Sequence, residues 1–161
     1  IVKFSQKTDE TAFFHTVLYP YRSEAPTLDV ERLVVSDSNG GCSPTQATAL
    51  KITVRSETEQ YSDYLFLAHE QSLRKYSFDD IVCRSRMLFL RKDRGGCIVN
   101  LQAEGLEYLE VGSTVLIADT GVSRRVSYES GRVHLCTPDR ILRMDLDRID
   151  GLSELVRVNH I

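Results

Sequence analysis

The segment His15-Thr16-Val17-Leu18-Tyr19-Pro20-Tyr21-Arg22 gathers residue types that can abstract a proton beside a carboxylate. Arg22 would neutralise the acid group, and His15 or Tyr19 would move the proton, provided both reach one substrate within hydrogen-bond distance. In an extended strand they do not. His15 and Tyr19 share a face but sit four residues apart, about 13 Å at the usual strand rise. The spacing reads Tyr19 and Tyr21 as side chains packed at a sheet edge, and no catalytic residue is expected in the chain.

The other histidines carry no stronger signal. His69 closes an apolar run, His134 lies in a strand pattern beside Cys136, and His160 is near the end; each reads as structural. No H-E-x-x-H, G-x-S-x-G or phosphate-cradling glycine loop occurs. Asp79-Asp80 and Asp145-x-Asp147 lack the ligand-dense loop that calcium requires. The cysteines lack the close C-x₂-C pairs of a zinc site. Neither a metal nor a cofactor is expected.

The best binding candidate is basic. Arg84 and Arg86 alternate onto one strand face, and Arg91, Lys92 and Arg94 crowd the hairpin that follows. Such a cluster suits the sulfate or carboxylate groups of an acidic glycan. The competing reading is a solvated hairpin end whose charges discourage edge-to-edge pairing. Tyr19, Tyr21 and Arg22 complete the candidate glycan-binding set. Tryptophan is absent, so the planar platform that glycan modules often use would fall to tyrosine.

The elements that must position these residues read as strands. Short apolar runs rich in β-branched and aromatic residues alternate with polar or glycine-containing turns. The expected strands are Val2–Lys7, Ala12–Tyr19, Arg32–Val35, Thr48–Arg55, Tyr61–Ala68, Ile81–Arg91, Cys97–Ala103, Thr114–Ala118, Arg125–Tyr128, Arg132–Thr137, Leu142–Leu146 and Leu155–Val158. No segment sustains a helical period over three turns. The pattern predicts an all-β fold, a two-sheet antiparallel β-sandwich forming a single domain over 1–161. Asp93-Arg94-Gly95-Gly96 and Glu129-Ser130-Gly131 read as hairpin turns, the first with Lys92 facing Cys97. In Thr48–Arg55, Leu50, Ile52 and Val54 form the expected core face, with Ala49, Lys51 and Thr53 facing water. Ile81–Arg91 is apolar on both faces, with Met87 and Phe89 opposite Leu88 and Leu90, which predicts cover on both sides. Val115 and Ile117 opposite Leu116 predict the same for Thr114–Ala118.

Bulk properties narrow the classes. The chain has 161 residues, 42% hydrophobic content and a net charge of −3. It is long enough to bury a core and too apolar for a disordered tail. Its charge does not draw it toward nucleic acid or an anionic membrane. No apolar run approaches the roughly 18 residues of a membrane span. The chain starts Ile1-Val2-Lys3 without a visible signal peptide, and the expectation is a fragment of a larger protein. Cys42, Cys83, Cys97 and Cys136 permit three disulfide pairings. Along one continuous strand and its hairpin, Cys83 lies roughly 30 Å from Cys97, far beyond bridging reach. Free thiols are expected.

Three stretches carry a family resemblance. Phe14 to Arg22, with its Thr16-Val17-Leu18-Tyr19-Pro20 core, resembles the T-x-L-Y-P segment in the C-terminal β-domain of heparinase II/III-like polysaccharide lyases. Tyr61-Ser62-Asp63-Tyr64-Leu65-Phe66-Leu67 resembles that domain's D-Y-x-F strand. Met87 to Gly96, followed by the run from Cys97 through Gly112 to Ile117, is similar to its later hairpins. Order and spacing agree over most of residues 12–118. The resemblance implies a C-terminal sandwich in an enzyme that cuts uronate-containing polysaccharides by β-elimination, in a secreted or periplasmic setting. It implies catalytic groups on a helical toroid and a central sheet domain, and no residue here matches those positions. The expected function is a non-catalytic accessory domain that stabilises the catalytic domains of the same polypeptide and contacts acidic polysaccharide. The alternatives are an autonomous carbohydrate-binding module, a purely structural interface domain, or, last, a small lyase built on His15, Tyr19 and Arg22.

Overall fold

A computed structural model describes residues 15–21, 24–69, 74–117, 124–129, 132–137 and 140–145, with side chains described as far as Ile117. The strands in chain order are β1 (Thr27–Leu33), β2 (Ser36–Asp37), β3 (Gly40–Gly41), β4 (Ala47–Arg55), β5 (Gln60–Ala68), β6 (Tyr76–Phe78) and β7 (Ile81–Arg84). They continue with β8 (Met87–Asp93), β9 (Ile98–Leu106), β10 (Tyr108–Val111), β11 (Thr114–Ile117), β12 (Arg124–Glu129), β13 (Arg132–Thr137) and β14 (Arg140–Asp145). The large sheet has the order β1-β4-β5-β8-β9-β12-β13-β14 and the small sheet β11-β10-β7-β6-β2-β3. All pairings are antiparallel. The fold is the all-β, two-sheet sandwich that the alternation of short apolar runs predicts.

The core lies between the sheets. Ala47 and Ala49 on β4, Phe66 on β5, and Leu88 and Leu90 on β8 face Tyr76, Phe78, Ile81 and Leu109 of the small sheet. Phe66 stacks on Phe78, ring centroids 5.0 Å apart and 7° between planes, and meets Tyr76 at 5.2 Å. The rings explain an inversion on β4. Ala49 lies directly opposite Phe66 in register, so a small side chain on one strand makes room for a ring on the next. The face expected to be wet therefore holds core alanines, and Leu50, Ile52 and Val54 lie on the outer face of the large sheet, where Ile52 and Val54 are buried as expected.

The stretch Ile81–Arg91 is two strands in two sheets, not one. The chain crosses at Ser85-Arg86, and its hairpin partner crosses back between β9 and β10 at Glu107. Three backbone links bind this corner: Arg86 N–H donates to Glu104 O at 3.0 Å, Glu107 N–H to Arg84 O at 2.8 Å, and Ala68 N–H to Arg86 O at 2.9 Å. Ser85, fully buried, places its Oγ 2.7 Å from Met87 O and 3.0 Å from Glu104 O. Gly105 takes the positive φ of 67° that the bend in β9 requires. The polar triplet Arg84-Ser85-Arg86 between two apolar stretches marks the bend.

The β8–β9 turn is held by Asp93, whose Oδ1 accepts from Gly95 N–H at 2.8 Å and Cys97 N–H at 3.0 Å. A bulge shifts the register, so Lys92 faces Ile98 rather than Cys97. Glu129 faces Arg132, which makes β12–β13 the expected hairpin. Residues 15–21 are not strand, so the expected Ala12–Tyr19 strand is absent over its described part. β1 begins earlier than the expected Arg32–Val35 strand, and β6 and β10 were not anticipated. Val2–Lys7 and Leu155–Val158 lie outside the described residues.

Candidate binding surface

The five basic residues do not form one patch. The strand crossing separates Arg84, in the small sheet, from Arg86 at the corner, so they do not share a strand face. Arg84 lies 3.5 Å from Glu107. Lys92 faces inward from β8 and is buried, its Nζ donating to both oxygens of Asp80 at 2.6 and 2.7 Å. Beside it Lys51 Nζ donates to Asp79 Oδ2 at 2.9 Å. The Tyr64 ring lies 5.3 Å from the Lys51 ammonium and 5.0 Å from that of Lys92. The Asp79-Asp80 turn thus caps one end of the core against two lysines. The hydrogen bond to Asp79 holds the Lys51 ammonium above its ordinary pKa. Burial pushes the Tyr64 phenol up as well.

Arg91 points outward from the same strand. Its Nε and Nη2 donate to Asp63 Oδ1 and Oδ2 at 2.6 and 2.8 Å, and its guanidinium covers the Tyr61 ring at 3.9 Å. The Tyr61 hydroxyl meets that of Tyr19. Burial, and then the contact with Tyr19, raise the Tyr61 phenol above the ordinary tyrosine range. Tyr19, Asp63 and Arg91, one residue from each stretch that carries the family resemblance, therefore meet in one linked cluster. Tyr61 and Asp63 were missed as partners of Arg91 because their adjacency depends on the β5–β8 register, which no local pattern encodes.

Two open clefts flank the β4–β5 turn. One, of about 470 Å³, is lined by Tyr19, Pro20, Tyr21, Glu24 and Val54. The other, of about 880 Å³, is lined by Tyr61, Arg91, Asp93, Arg94 and Val99. Glu57 and Glu59 line both. A polyanion entering here meets carboxylates as well as guanidinium groups. Tyr21 and Arg94 are exposed; Tyr19 is half-buried; Arg22 lies outside the described residues. His15 is exposed and is not brought against Tyr19 by a strand. His69 Nε2 lies 3.2 Å from Thr48 Oγ1, a structural contact.

The outer face of the large sheet carries an apolar patch on β4, β5 and β8. Registered pairing sets Leu50, Leu65 and Phe89 in one row and Leu67 beside Met87 in the next. Leu67 is 44% exposed and Met87 38%, whereas Leu88 and Leu90 behind them are buried. Apolar character on both faces of β8 thus has full cover on one face only among the described residues, with Phe89 half-buried and Met87 exposed on the other. In β11, Leu116 is likewise buried while Val115 is 44% exposed.

Among the described residues no group of three or more His, Cys, Asp or Glu side chains could hold a metal ion. No described helix is long and apolar enough to cross a membrane. Cys42, Cys83 and Cys97 are free thiols. Burial pushes the Cys83 thiol well above its ordinary pKa, which suppresses its thiolate chemistry. Cys83 and Cys97 lie in different layers, so the single-strand separation expected for them does not describe their geometry. No protein-family model matches the chain, and no match appears among curated proteins or solved structures.

Proposed function

We propose that this chain is a non-catalytic accessory domain of a heparinase II/III-like polysaccharide lyase, which supports the catalytic domains of the same polypeptide by docking through the outer face of its large sheet. The observation that carries the docking role is the apolar patch of exposed Leu65, Leu67 and Met87 beside half-buried Phe89, on β5 and on a strand, β8, patterned for burial on both faces. Exposed patches of this kind mark interaction surfaces. The lyase assignment rests on the three motif stretches. Arg91 binds Asp63 and covers the ring of Tyr61, whose hydroxyl meets that of Tyr19, and such a linked cluster suits an architectural role better than a reactive one.

A second role, contact with acidic polysaccharide, is favoured by exposed Arg94 at the larger cleft and exposed Tyr21 at the smaller. The test uses the intact polypeptide and this chain alone. Leu67→Glu with Met87→Glu should leave the isolated domain folded but lower the thermal stability and lyase activity of the intact enzyme. The isolated domain should release no unsaturated uronate, seen by ultraviolet absorbance. An intact protein indifferent to both changes sinks the docking role, and uronate release by the isolated chain sinks the non-catalytic one. Affinity electrophoresis in acidic polysaccharide, with and without Arg94→Ala, decides the second role.

A further inference from the structure

The β1 edge of the large sheet pairs with no other strand among the described residues. We propose that this edge receives an extended segment of a partner protein whose residues alternate between apolar and Lys/Arg. The inference does not depend on which enzyme carries the domain. Register assigns the two faces of β1. Leu28 and Val30 lie opposite Val54 and Ile52, on the outer face, while Asp29 and Glu31 lie opposite Thr53 and Lys51, on the inner side. All four are exposed. Lys51 is engaged by Asp79, so neither acid of β1 has a cationic partner among the described residues. An added strand places alternate side chains on the same two faces. Its apolar residues would extend the outer apolar surface beyond Leu28 and Val30, and its basic residues would meet Asp29 and Glu31.

A second copy of β1 does not fit. In an antiparallel register centred on Val30, Asp29 faces Glu31 twice; centred on Glu31 or Asp29, it sets identical acids face to face. Like charges directly opposite destabilise a strand pair. The same two acids that keep the edge from pairing with itself select a basic partner.

The test uses the chain as it stands and a short synthetic peptide alternating lysine and valine. That peptide should bind and slow hydrogen exchange at β1 amides. A glutamate–valine peptide and a scrambled lysine–valine peptide should not. Asp29→Lys combined with Glu31→Lys should weaken lysine–valine binding about tenfold, as two cross-strand pairs pass from opposite to like charge, and should admit the glutamate–valine peptide. The isosteric pair Asp29→Asn with Glu31→Gln should show an intermediate loss. Four results would overturn the proposal: equal binding of the scrambled peptide, protection away from β1, β1 amides already protected in the free monomer, or a dimer that protects them.

Discussion

Arg91 and Asp63 face each other across neighbouring strands and share two parallel hydrogen bonds on the outer side of the sheet. The bidentate contact raises the Arg91 pKa, the Asp63 hydrogen bond being the largest cause. Asp63 is nearly buried while Arg91 retains partial exposure. Asp63→Ala should therefore cost about 2 kcal/mol, less than a fully buried pair because water still reaches the guanidinium. Arg91→Lys should recover only part of the coupling, since an ammonium cannot reproduce the fork. A double-mutant cycle by urea denaturation reads both, and a coupling near zero would remove this pair from the account of the cluster.

The corner at Ser85 supplies a second expectation. Ser85→Ala deletes the buried hydroxyl that serves Met87 O and Glu104 O, and should cost about 1–2 kcal/mol. Ser85→Val should cost more, because a fully enclosed site cannot accept the added methyl groups. Equal stability of Ser85→Val and wild type in thermal melts would show that the corner tolerates expansion.

Asp79 predicts a dependence on pH at both ends of the scale. Burial raises its carboxyl pKa, but hydrogen bonds from Lys51 and Tyr64 outweigh burial and leave it below the ordinary value. A depressed acid contributes stability above its unfolded pKa, and that contribution disappears as pH falls through the folded value, here below about pH 4. Lys51 is raised, so its contribution is complete below the unfolded lysine pKa and is lost as pH rises through the folded one, above about pH 10. Asp79→Asn keeps a residue that tolerates the positive φ of 48° at this position. It should flatten both limbs in denaturation curves taken across pH. Identical limbs in the variant and wild type would show that other groups set them.

Phe66 sits where both core rings meet, and Phe66→Ala should cost about 3–5 kcal/mol. Phe66→Leu should cost less, and near-ultraviolet circular dichroism should report the lost ring packing in either variant. Retention of wild-type stability by Phe66→Ala would mean that the cluster of Phe66, Tyr76 and Phe78 is not the centre of the core.

Much of the fold was legible because its strands advertise themselves by period. Tyr61–Ala68 and Arg132–Thr137 lie close to or at their expected limits. Three features were not. The alternation on β4 names two faces but not which one meets the other sheet, and the large rings of Phe66 and Phe78 decide that from a distance. The run from Ile81 to Arg91 looks continuous because the crossing takes only two residues, and Arg84-Ser85-Arg86 is a short polar interruption between two apolar stretches. β1 was placed late because an edge strand buries little, so Asp29 and Glu31 diluted the apolar signal of Leu28 and Val30. The candidate site suffered more than the fold. Five basic residues close in sequence were dispersed over two sheets, a corner and a turn. The contact of Tyr19 with Tyr61 spans residues too far apart for any local motif to foretell.

The paired crossings at Ser85-Arg86 and Glu107 have a mechanical consequence. Two leaves held only by side-chain contacts could shear past each other under load. Here the chain passes at two adjacent points directly from a strand of one leaf into a strand of the other, so the sandwich is a creased ribbon, fastened along its fold by main-chain bonds. Tension applied at β8 passes through the crease into β7 by covalent bonds before any core contact has to slide. Among the described residues the opposite margin is held by packing and by the contacts of Lys51 and Tyr64 with Asp79 and of Lys92 with Asp80. Under force the leaves should part there first, opening like a book from the side away from its spine.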